Sequence, residues 1–378
     1  MTEEVYILSA VRTPVGVGKP GKGALSGIHP VEVSARILTE AAKRAGVSPS
    51  WVEDVIWGCV SPVGEQGGNL GRLAVLKAGF PPQVPAVTIN RMCGSSQQAV
   101  HFAAQAILAD DMDIVIAGGT EIMSRVPMGS DWPKTWPDLP YDLPHQGISA
   151  ELIAEKWGLG REALDDFAYH SHLRAMQAIR EGRFAPQILP ITLPDGRVFD
   201  TDQGVRIPPD RGKMAALRPV FKEGGVVTAG NSSQISDGSA ALVLASPAAV
   251  GRYNLMPRAR VLARVVVGSD PVLMLDGPIP ATRKVLEKAG LRLDEMDVIE
   301  INEAFASVVL AWAQELHPDM EKVNPNGGAI ALGHPLGATG AVLMTKLLHE
   351  LERRGGRYGL QTMCIGHGMA TATIIERL

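Results

Sequence analysis

Two stretches of the chain repeat one pattern: residues 43–56 read KRAGVSPSWVEDVI and residues 287–299 read EKAGLRLDEMDVI. In each stretch Ala-Gly closes the end of a predicted helix, a loop follows, and a strand begins at Asp-Val-Ile. The same order of signals at two distant places indicates two copies of one structural unit. The sequence around both copies extends this match.

A second strand and a glycine-rich turn follow each copy. The first turn lies in VTINRMCGSSQQ, residues 87–98, and the second lies in VNPNGGAIALGHPLGATG, residues 323–340. Each leads into apolar residues at helical spacing, and then into another strand at 113–119 or 359–366. This alternation predicts an α/β fold with largely buried sheets. All α/β proteins share some of this alternation of strands and helices, but the matching order of elements in the two stretches favours duplication.

The chain between the two copies reads differently. Residues 126–147 form a proline- and tryptophan-rich irregular loop, residues 149–180 have helical periodicity, and residues 188–200 resemble a hairpin. Long irregular inserts in compact proteins usually bind a ligand. We therefore predict three parts: one half made of residues 1–120 with about 231–250, an inserted loop domain of residues 121–230, and a second half of residues 251–378.

Composition excludes several classes of protein. The chain has 378 residues, 46% of them hydrophobic, and a net charge of −4, so a nucleic-acid partner is not expected. Cys59, Cys93 and Cys364 are too far apart for a disulfide framework or a metal-binding pair. The start, Met1 to Glu4, is acidic where a secretory signal is basic, and no apolar stretch is long enough to span a membrane. We expect a cytoplasmic location without membrane insertion.

Cys93 and His334 occupy the two glycine-rich turns. A thiol between a strand and a helix faces the positive end of the helix dipole and free N–H groups, which favour the thiolate. If the halves pack about a pseudo-twofold axis, His334 faces Cys93 and can take its proton. A buried cysteine and a helix-capping histidine are the alternatives, and the repeat favours the catalytic pair.

Weaker signals follow two strands of the second half. Cys364 ends the last apolar strand before Gly366, and a second thiol there can act as an acid or base. A structural or disulfide role explains it equally well. Asn302 and Glu303 end another strand, where polar residues are often only a helix cap.

Taken together, these segments resemble the thiolase family. Six motifs occur in the family's order and spacing from one end of the chain to the other: AVRTPVG (10–16), NRMCGSSQQA (90–99), TAGNSSQISDGSAA (228–241), INEAFA (301–306), NGGAIALGHPLGATGA (326–341) and TMCIGHGMATATIIERL (362–378). The resemblance implies βαβαβαββ-like halves in a five-layer αβαβα arrangement, with a loop domain over coenzyme A. It also implies acyl-CoA and coenzyme A as substrates or products, no permanently bound cofactor, no metal, and a homodimer or homotetramer.

The resemblance also implies roles for the site residues. Cys93 attacks the acyl group and carries it, His334 activates Cys93, and Cys364 deprotonates the second substrate. One oxyanion site combines His334 with a water held by Asn302. The other uses the backbone N–H groups of Cys93 and Gly366, and such preorganised donors contribute a few kcal/mol each.

Residues for coenzyme A are marked less sharply. Ser233 matches a family position near the pantetheine arm, and His145-Gln146-Gly147 resembles the pocket element over the acyl chain. A basic stretch could meet the nucleotide phosphates or form a solvated charged face; it contains Arg206, Arg211, Lys213 and Arg218.

One position departs from the common pattern: many members have glycine where this chain has His367. The segments SSQQ, GPIPAT (277–282) and QISDG (234–238) resemble degradative members, including actinobacterial steroid-chain thiolases. We therefore expect ping-pong cleavage of 3-ketoacyl-CoA. The alternatives are condensation of two acetyl-CoA to acetoacetyl-CoA, a non-catalytic protein that binds acyl-CoA or lipid, and a dithiol redox protein that uses Cys93 and Cys364.

Overall fold

A computed structural model describes residues 4–378, so the start of the acidic terminus, Met1 to Glu3, lies outside the described residues. The twelve strands of the described chain are β1 Tyr6–Arg12, β2 Gly16–Val17, β3 Asp54–Gly58, β4 Ala86–Ile89, β5 Ile114–Ile122, β6 Ile191–Thr192, β7 Val198–Phe199, β8 Ser236–Ala245, β9 Ala259–Gly268, β10 Val298–Ile301, β11 Tyr358–Ile365 and β12 Met369–Arg377. Its eleven α-helices are α1 Pro30–Ala45, α2 Leu70–Lys77, α3 Ser95–Leu108, α4 Gln146–Lys156, α5 Arg161–Arg180, α6 Arg211–Ala215, α7 Pro247–Tyr253, α8 Pro278–Ala289, α9 Ala306–Leu316, α10 Ala329–Leu332 and α11 Thr339–Arg354.

The two copies of the repeat have the same strand topology. The first is ordered β4-β3-β5-β8-β1 and the second β10-β11-β12-β9. In the first, β3 is parallel to β4 and β5, and β8 is antiparallel to β5 and β1. In the second, β10 is parallel to β11, and β12 is antiparallel to β11 and β9. The predicted strand at Val323 is reduced to one parallel bridge with Ile299, at the place that β4 has in the first copy.

The helices that carry the repeat end alike. Gly46 and Gly290 cap α1 and α8 with the same left-handed φ of 66°, which glycine adopts without a Cβ clash. Each helix then leads into the strand at Asp-Val-Ile, as the sequence predicts. The halves join where Tyr6 and Ile7 of β1 pair with Arg260 and Ala259 of β9.

Three apolar cores hold five layers together, and the central core contacts strands of both copies. The strands of the first copy form the first sheet and those of the second copy form the second sheet. Helices α1 and α2 cover one face of the first sheet through a core that includes Leu38 and Trp57. Helices α3 and α11 lie between the two halves, with Ala103 and Leu347 in their shared core. Helices α8 and α9 cover the outer face of the second sheet, where Trp312 is fully buried. The order is helix, sheet, helix, sheet, helix, so the predicted fold class is confirmed.

The segment between the halves contains α4, α5, α6 and the β6–β7 hairpin, while residues 123–145 form neither helix nor strand. A buried ion pair anchors it: the guanidinium of Arg12 in β1 donates to both carboxylate oxygens of Asp202, at 2.7 and 2.9 Å. Because both side chains are fully buried, this bidentate ion pair fixes the segment against the first sheet.

Candidate active site

Cys93 lies at the turn that opens α3, where Met92 has a left-handed φ of 46°. The backbone N–H groups of Gly366 and of Cys93 itself face the sulfur and favour the thiolate. Burial opposes them more strongly and raises the pKa of the thiol to about 11. The N–H groups expected from the sequence are therefore present, but burial outweighs them, and Cys93 is an uncharged thiol in the resting site.

The neighbours of His334 fix the orientation and tautomer of its ring. The Thr339 hydroxyl donates to the carbonyl of Pro335 at 2.9 Å, so its oxygen accepts the Nδ1–H of His334 at 2.6 Å. The lone pair is thereby assigned to Nε2, which accepts from the Asn302 amide at 3.3 Å. Burial lowers the pKa of His334 to about 4, which keeps the ring uncharged at neutral pH.

Asn302 contacts His334 through Nδ2 and leaves its other amide atom free. Oδ1 is buried and has no hydrogen-bond partner among the described residues. The backbone N–H of Asn302 donates to the carbonyl of Thr362 in β11 at 3.1 Å, two residues before Cys364. The amide is thus held between the histidine and the strand of the second thiol, with an acceptor that a water or substrate group could satisfy.

Cys364 lies near the end of β11, opposite Ala370 of β12, and is 1% exposed. Burial raises its thiol pKa above the usual range, and the neighbouring Cys93 raises it further because two thiolates repel each other. The thiol of Cys364 is therefore a buried neighbour of the partly buried thiol of Cys93. Leu336, two residues after His334, packs in the same apolar cluster as Cys93, so the turn of the second half adjoins that of the first.

A buried carboxylate at this junction was missed by the sequence analysis. Glu121, in β5, accepts N–H groups from Val60 at 2.8 Å, Ser61 at 3.2 Å and Gly337 at 2.9 Å, and from the Gln66 amide at 2.8 Å. Gly337 belongs to the turn of His334, so Glu121 ties that turn to the first half. Burial raises the pKa of this carboxyl, while its four donors oppose the rise.

The repeat itself could have revealed Glu121. Val55 and Val298 are equivalent in the two copies and pair with Ile116 and Gly359, respectively. Glu121 lies five residues after Ile116, and Cys364 lies five residues after Gly359. The buried carboxylate of the first half is therefore the pseudo-symmetric counterpart of the second thiol.

A cavity of about 470 Å³ opens from Cys93 and Gly366. It is lined mainly by residues 128–146, and includes His145, Gln146 and His367. The His145 ring accepts the N–H of Gly147 at 3.1 Å and stacks on Phe221 at 5.2 Å. Two of the four predicted substrate-contact residues, His145 and Gln146, thus line the same cavity as Cys93.

The other predicted contacts lie away from the lining of this cavity. The backbone N–H of Ser233 donates to Ala304, next to Asn302-Glu303, at 2.9 Å. Arg206 is exposed, and its backbone N–H donates to Nδ1 of His172. Arg211 is paired with Asp166 at 2.6 Å, and Lys213 with Asp210 at 3.5 Å, which leaves these two cations partly neutralised.

Within residues 4–378, no group of three or more His, Cys, Asp or Glu side chains could hold a metal ion. No helix in the same range is long and apolar enough to cross a membrane.

Two family models together cover nearly the whole chain. The thiolase N-terminal domain matches residues 5–248, and the thiolase C-terminal domain matches residues 255–377. The chain belongs to the thiolase family. Thiolases transfer acyl groups through an acyl-cysteine, so this protein is an enzyme, an acyltransferase acting on coenzyme A thioesters.

Named relatives support the same assignment. This thiolase is 50% identical to the steroid 3-ketoacyl-CoA thiolase FadA6 of Mycobacterium tuberculosis, over 99% of this chain and 94% of that protein. It is 43% identical to an acetyl-CoA acetyltransferase of Syntrophomonas wolfei over the full length of both. The crystal structure of the Bacillus anthracis acetyl-CoA acetyltransferase superposes with a TM-score of 0.93 at 41% identity, covering 100% of this chain and 99% of that one.

Proposed function

We propose that this thiolase cleaves 3-ketoacyl-CoA by a ping-pong mechanism, with Cys93 as the nucleophile. The observation that carries the proposal is the pairing of two neighbouring thiols with a neutral histidine whose Nε2 carries the lone pair of the ring and contacts Asn302. A redox dithiol would have no use for that histidine or for Asn302. A non-catalytic acyl-CoA or lipid binder would have no use for the base or the second thiol.

In the first half-reaction, the Cys93 sulfur attacks the 3-keto carbon as its proton passes to Nε2 of His334. The bond between carbons 2 and 3 then breaks, and its electron pair goes to carbon 2 of the departing acetyl-CoA enolate. Cys364 gives its proton to that carbon. The products are acetyl-CoA, an acyl-Cys93 thioester and a Cys364 thiolate.

In the second half-reaction, the Cys364 thiolate takes the proton of the coenzyme A thiol, and the coenzyme A sulfur attacks acyl-Cys93. The bond to Cys93 breaks, and its sulfur recovers the proton from His334. The shortened acyl-CoA leaves, and both cysteines return to their starting state.

Two sets of donors fit the oxyanions of these steps. The N–H groups of Cys93 and Gly366 converge on the nucleophilic sulfur, where the tetrahedral oxygen forms. The enolate oxygen fits beside the protonated Nε2 of His334 and beside a water molecule that donates a hydrogen bond to Oδ1 of Asn302. The unpartnered Oδ1 supports that water.

Residues 121–230 are proposed to cover coenzyme A, with Ser233, Arg206 and Arg218 along its path and with His145 and Gln146 at the acyl end. Arg206 and Arg218 are exposed, which leaves them open to phosphates. The halves on either side of this segment are residues 1–120 with about 231–250, and residues 251–378.

The degradative direction is supported by relatives named 3-ketoacyl-CoA thiolase and by the size of the cavity beside Cys93. It would place the enzyme in a β-oxidation type of lipid breakdown. Condensation of two acetyl-CoA is the second candidate, because relatives named acetyl-CoA acetyltransferase match at 43% identity.

We propose a homodimer, or a dimer of dimers, formed through the edge strand β4. Within residues 4–378 this strand pairs on one side only, with β3, and its Val87 is 42% exposed. An open strand edge beside apolar residues is a template for pairing with a second copy. Three free cysteines support a reducing, cytoplasmic location.

The test combines turnover with intact-mass measurement. Wild type should cleave acetoacetyl-CoA and 3-oxooctanoyl-CoA in the presence of coenzyme A, and should gain one acetyl group from acetyl-CoA alone. Cys93→Ala should lose both properties. Cys364→Ala should still gain the acetyl group but fail to turn over, because the proton carrier of the second step is absent. Near wild-type turnover by Cys93→Ala would refute the proposal.

A further inference from the structure

The wall of the cavity near Cys93 carries a side chain that the proposed reaction does not use. His367 has a φ of 65°, a left-handed conformation that costs energy for a residue with a Cβ. Its ring lines the cavity and meets Trp136 edge-on, with centroids 5.8 Å apart and planes at 89°. Backbone strain of this kind clusters at ligand-binding and active sites, and His367 combines it with a place in the cavity wall.

The imidazole of His367 has this aromatic contact but no hydrogen-bond partner in the part of the chain that the structure describes. In the free enzyme, water can satisfy its nitrogens. When an acyl group fills the cavity and displaces that water, an unpaired N–H is penalised unless the acyl group supplies an acceptor.

The rest of the lining defines which acyl group fits. The volume of about 470 Å³ is that of a small-molecule pocket, far more than an acetyl group fills. Trp132 and Trp136 form a corner, with centroids 6.2 Å apart and planes at 70°, against which a flat or alicyclic ring can pack. Asp138 and Asp142 are exposed residues of the same lining, and they would repel a carboxylate.

We propose that His367 and Trp136 are specificity-determining residues that select 3-ketoacyl-CoA substrates whose acyl group carries a ring with a neutral oxygen, a ketone or hydroxyl. Trp136 packs against the ring, and the His367 imidazole hydrogen-bonds the oxygen. This inference rests on the proposed function, since the ring enters the cavity only if Cys93 takes the acyl group.

The experiment compares kcat/KM for three probes: 3-oxooctanoyl-CoA, 3-oxo-5-cyclohexylpentanoyl-CoA and 3-oxo-5-(4-oxocyclohexyl)pentanoyl-CoA. In His367→Gly, the preference for the ring ketone over the plain ring should fall about tenfold, the scale of one hydrogen bond between neutral groups. His367→Asn tolerates the left-handed backbone and keeps a donor, so it should retain part of the preference. Trp136→Ala should weaken both ring probes relative to the linear one.

The matched control is His317→Gly. His317 is also left-handed, with a φ of 50°, but it is exposed at the end of α9, so its removal should leave the preference for the ring ketone unchanged. If wild type cleaves none of the probes, the proposed function itself fails. If wild type cleaves 3-oxooctanoyl-CoA, but the ring ketone has no advantage or His367→Gly behaves like His317→Gly, the assignment of His367 is overturned and the proposed function stands.

Discussion

At the scale of single residues, burial removes charge from both members of the proposed nucleophile pair. It raises the pKa of Cys93 to about 11 and lowers that of His334 to about 4. Proton transfer from thiol to imidazole is therefore unfavourable in the resting site. It becomes feasible as the thioester substrate brings a carbonyl oxygen onto the N–H groups of Gly366 and Cys93, which stabilise the developing negative charge.

This protonation state predicts the acid limb of the pH–rate profile. Only neutral His334 can accept the Cys93 proton, and its pKa of about 4 means that the neutral form persists well below the ordinary histidine pKa of about 6.5. As pH falls, kcat/KM should hold through pH 6 and decline only below about pH 5. Initial rates from pH 4.5 to 8, with return to pH 7 as a control for unfolding, check this. A midpoint near 6.5 would contradict the buried, neutral base.

Asn302 offers a second test at this scale. Asn302→Ala should lower kcat by roughly 10²–10³, the effect of losing one oxyanion donor, with a smaller change in KM, because the water it holds acts on the enolate and not on the bound ground state. Steady-state kinetics with acetoacetyl-CoA measure the split. The matched control is Asn254→Ala, at the exposed end of α7. A change confined to KM would show that Asn302 serves binding only.

At the scale of elements, the sequence was sufficient for the repeated helix–strand units and the two glycine-rich turns, but not for the short bridge at Val323 or the break between α4 and α5. Asp-Val-Ile at 54–56 and 297–299 marks β3 and β10, and the apolar periodicity marks α3 and α11. Hydrogen bonds between segments that are distant in the chain could not be predicted from the sequence. The carboxylate of Glu121 accepts N–H groups from separate segments of the chain, and this arrangement depends on tertiary contacts. The side-chain direction of His367 depends on its left-handed backbone conformation.

Contact between the end of β5 and the turn of His334 leads to a prediction about Gly119. A Cβ there would lie 2.2 Å from the carbonyl oxygen of Gly337 and 2.8 Å from that of Gly58, and neither backbone can move alone. Gly119→Ala should lower the free energy of unfolding by about 1–3 kcal/mol through overpacking. It should also reduce turnover by displacing the His334 turn from Cys93.

The measurements for Gly119→Ala are urea unfolding and acetyl labelling of Cys93. Gly251→Ala is the matched control, because nothing lies within 4 Å of its added Cβ and alanine favours its helix, α7. Equal stability and activity of Gly119→Ala and Gly251→Ala would mean that the turn and the strand are not held in this close contact.

At the scale of the whole molecule, the layered halves place every proposed catalytic residue at the junction between them. Cys93 comes from the first half, and Asn302, His334 and Cys364 come from the second. The joint between the halves is held by the shared α3–α11 core, the β1–β9 pairing and the Glu121 carboxylate. The proposed site therefore needs residues from both halves, and the irregular segment 123–145 lines the cavity beside Cys93.

The last prediction concerns the outer edge of the first half. Leu73 and Leu76 of α2 are 39% and 48% exposed beside β4, so a second copy that pairs with β4 would also cover apolar surface. Val87→Lys puts a charge on that edge and should shift the protein from dimer or tetramer towards monomer in light scattering after gel filtration. Val198→Lys, on the exposed β7 strand of the small hairpin, makes the same substitution away from the edge and should leave the mass unchanged. An unchanged mass for Val87→Lys, or a wild type that is already monomeric, would exclude β4 as the contact between copies.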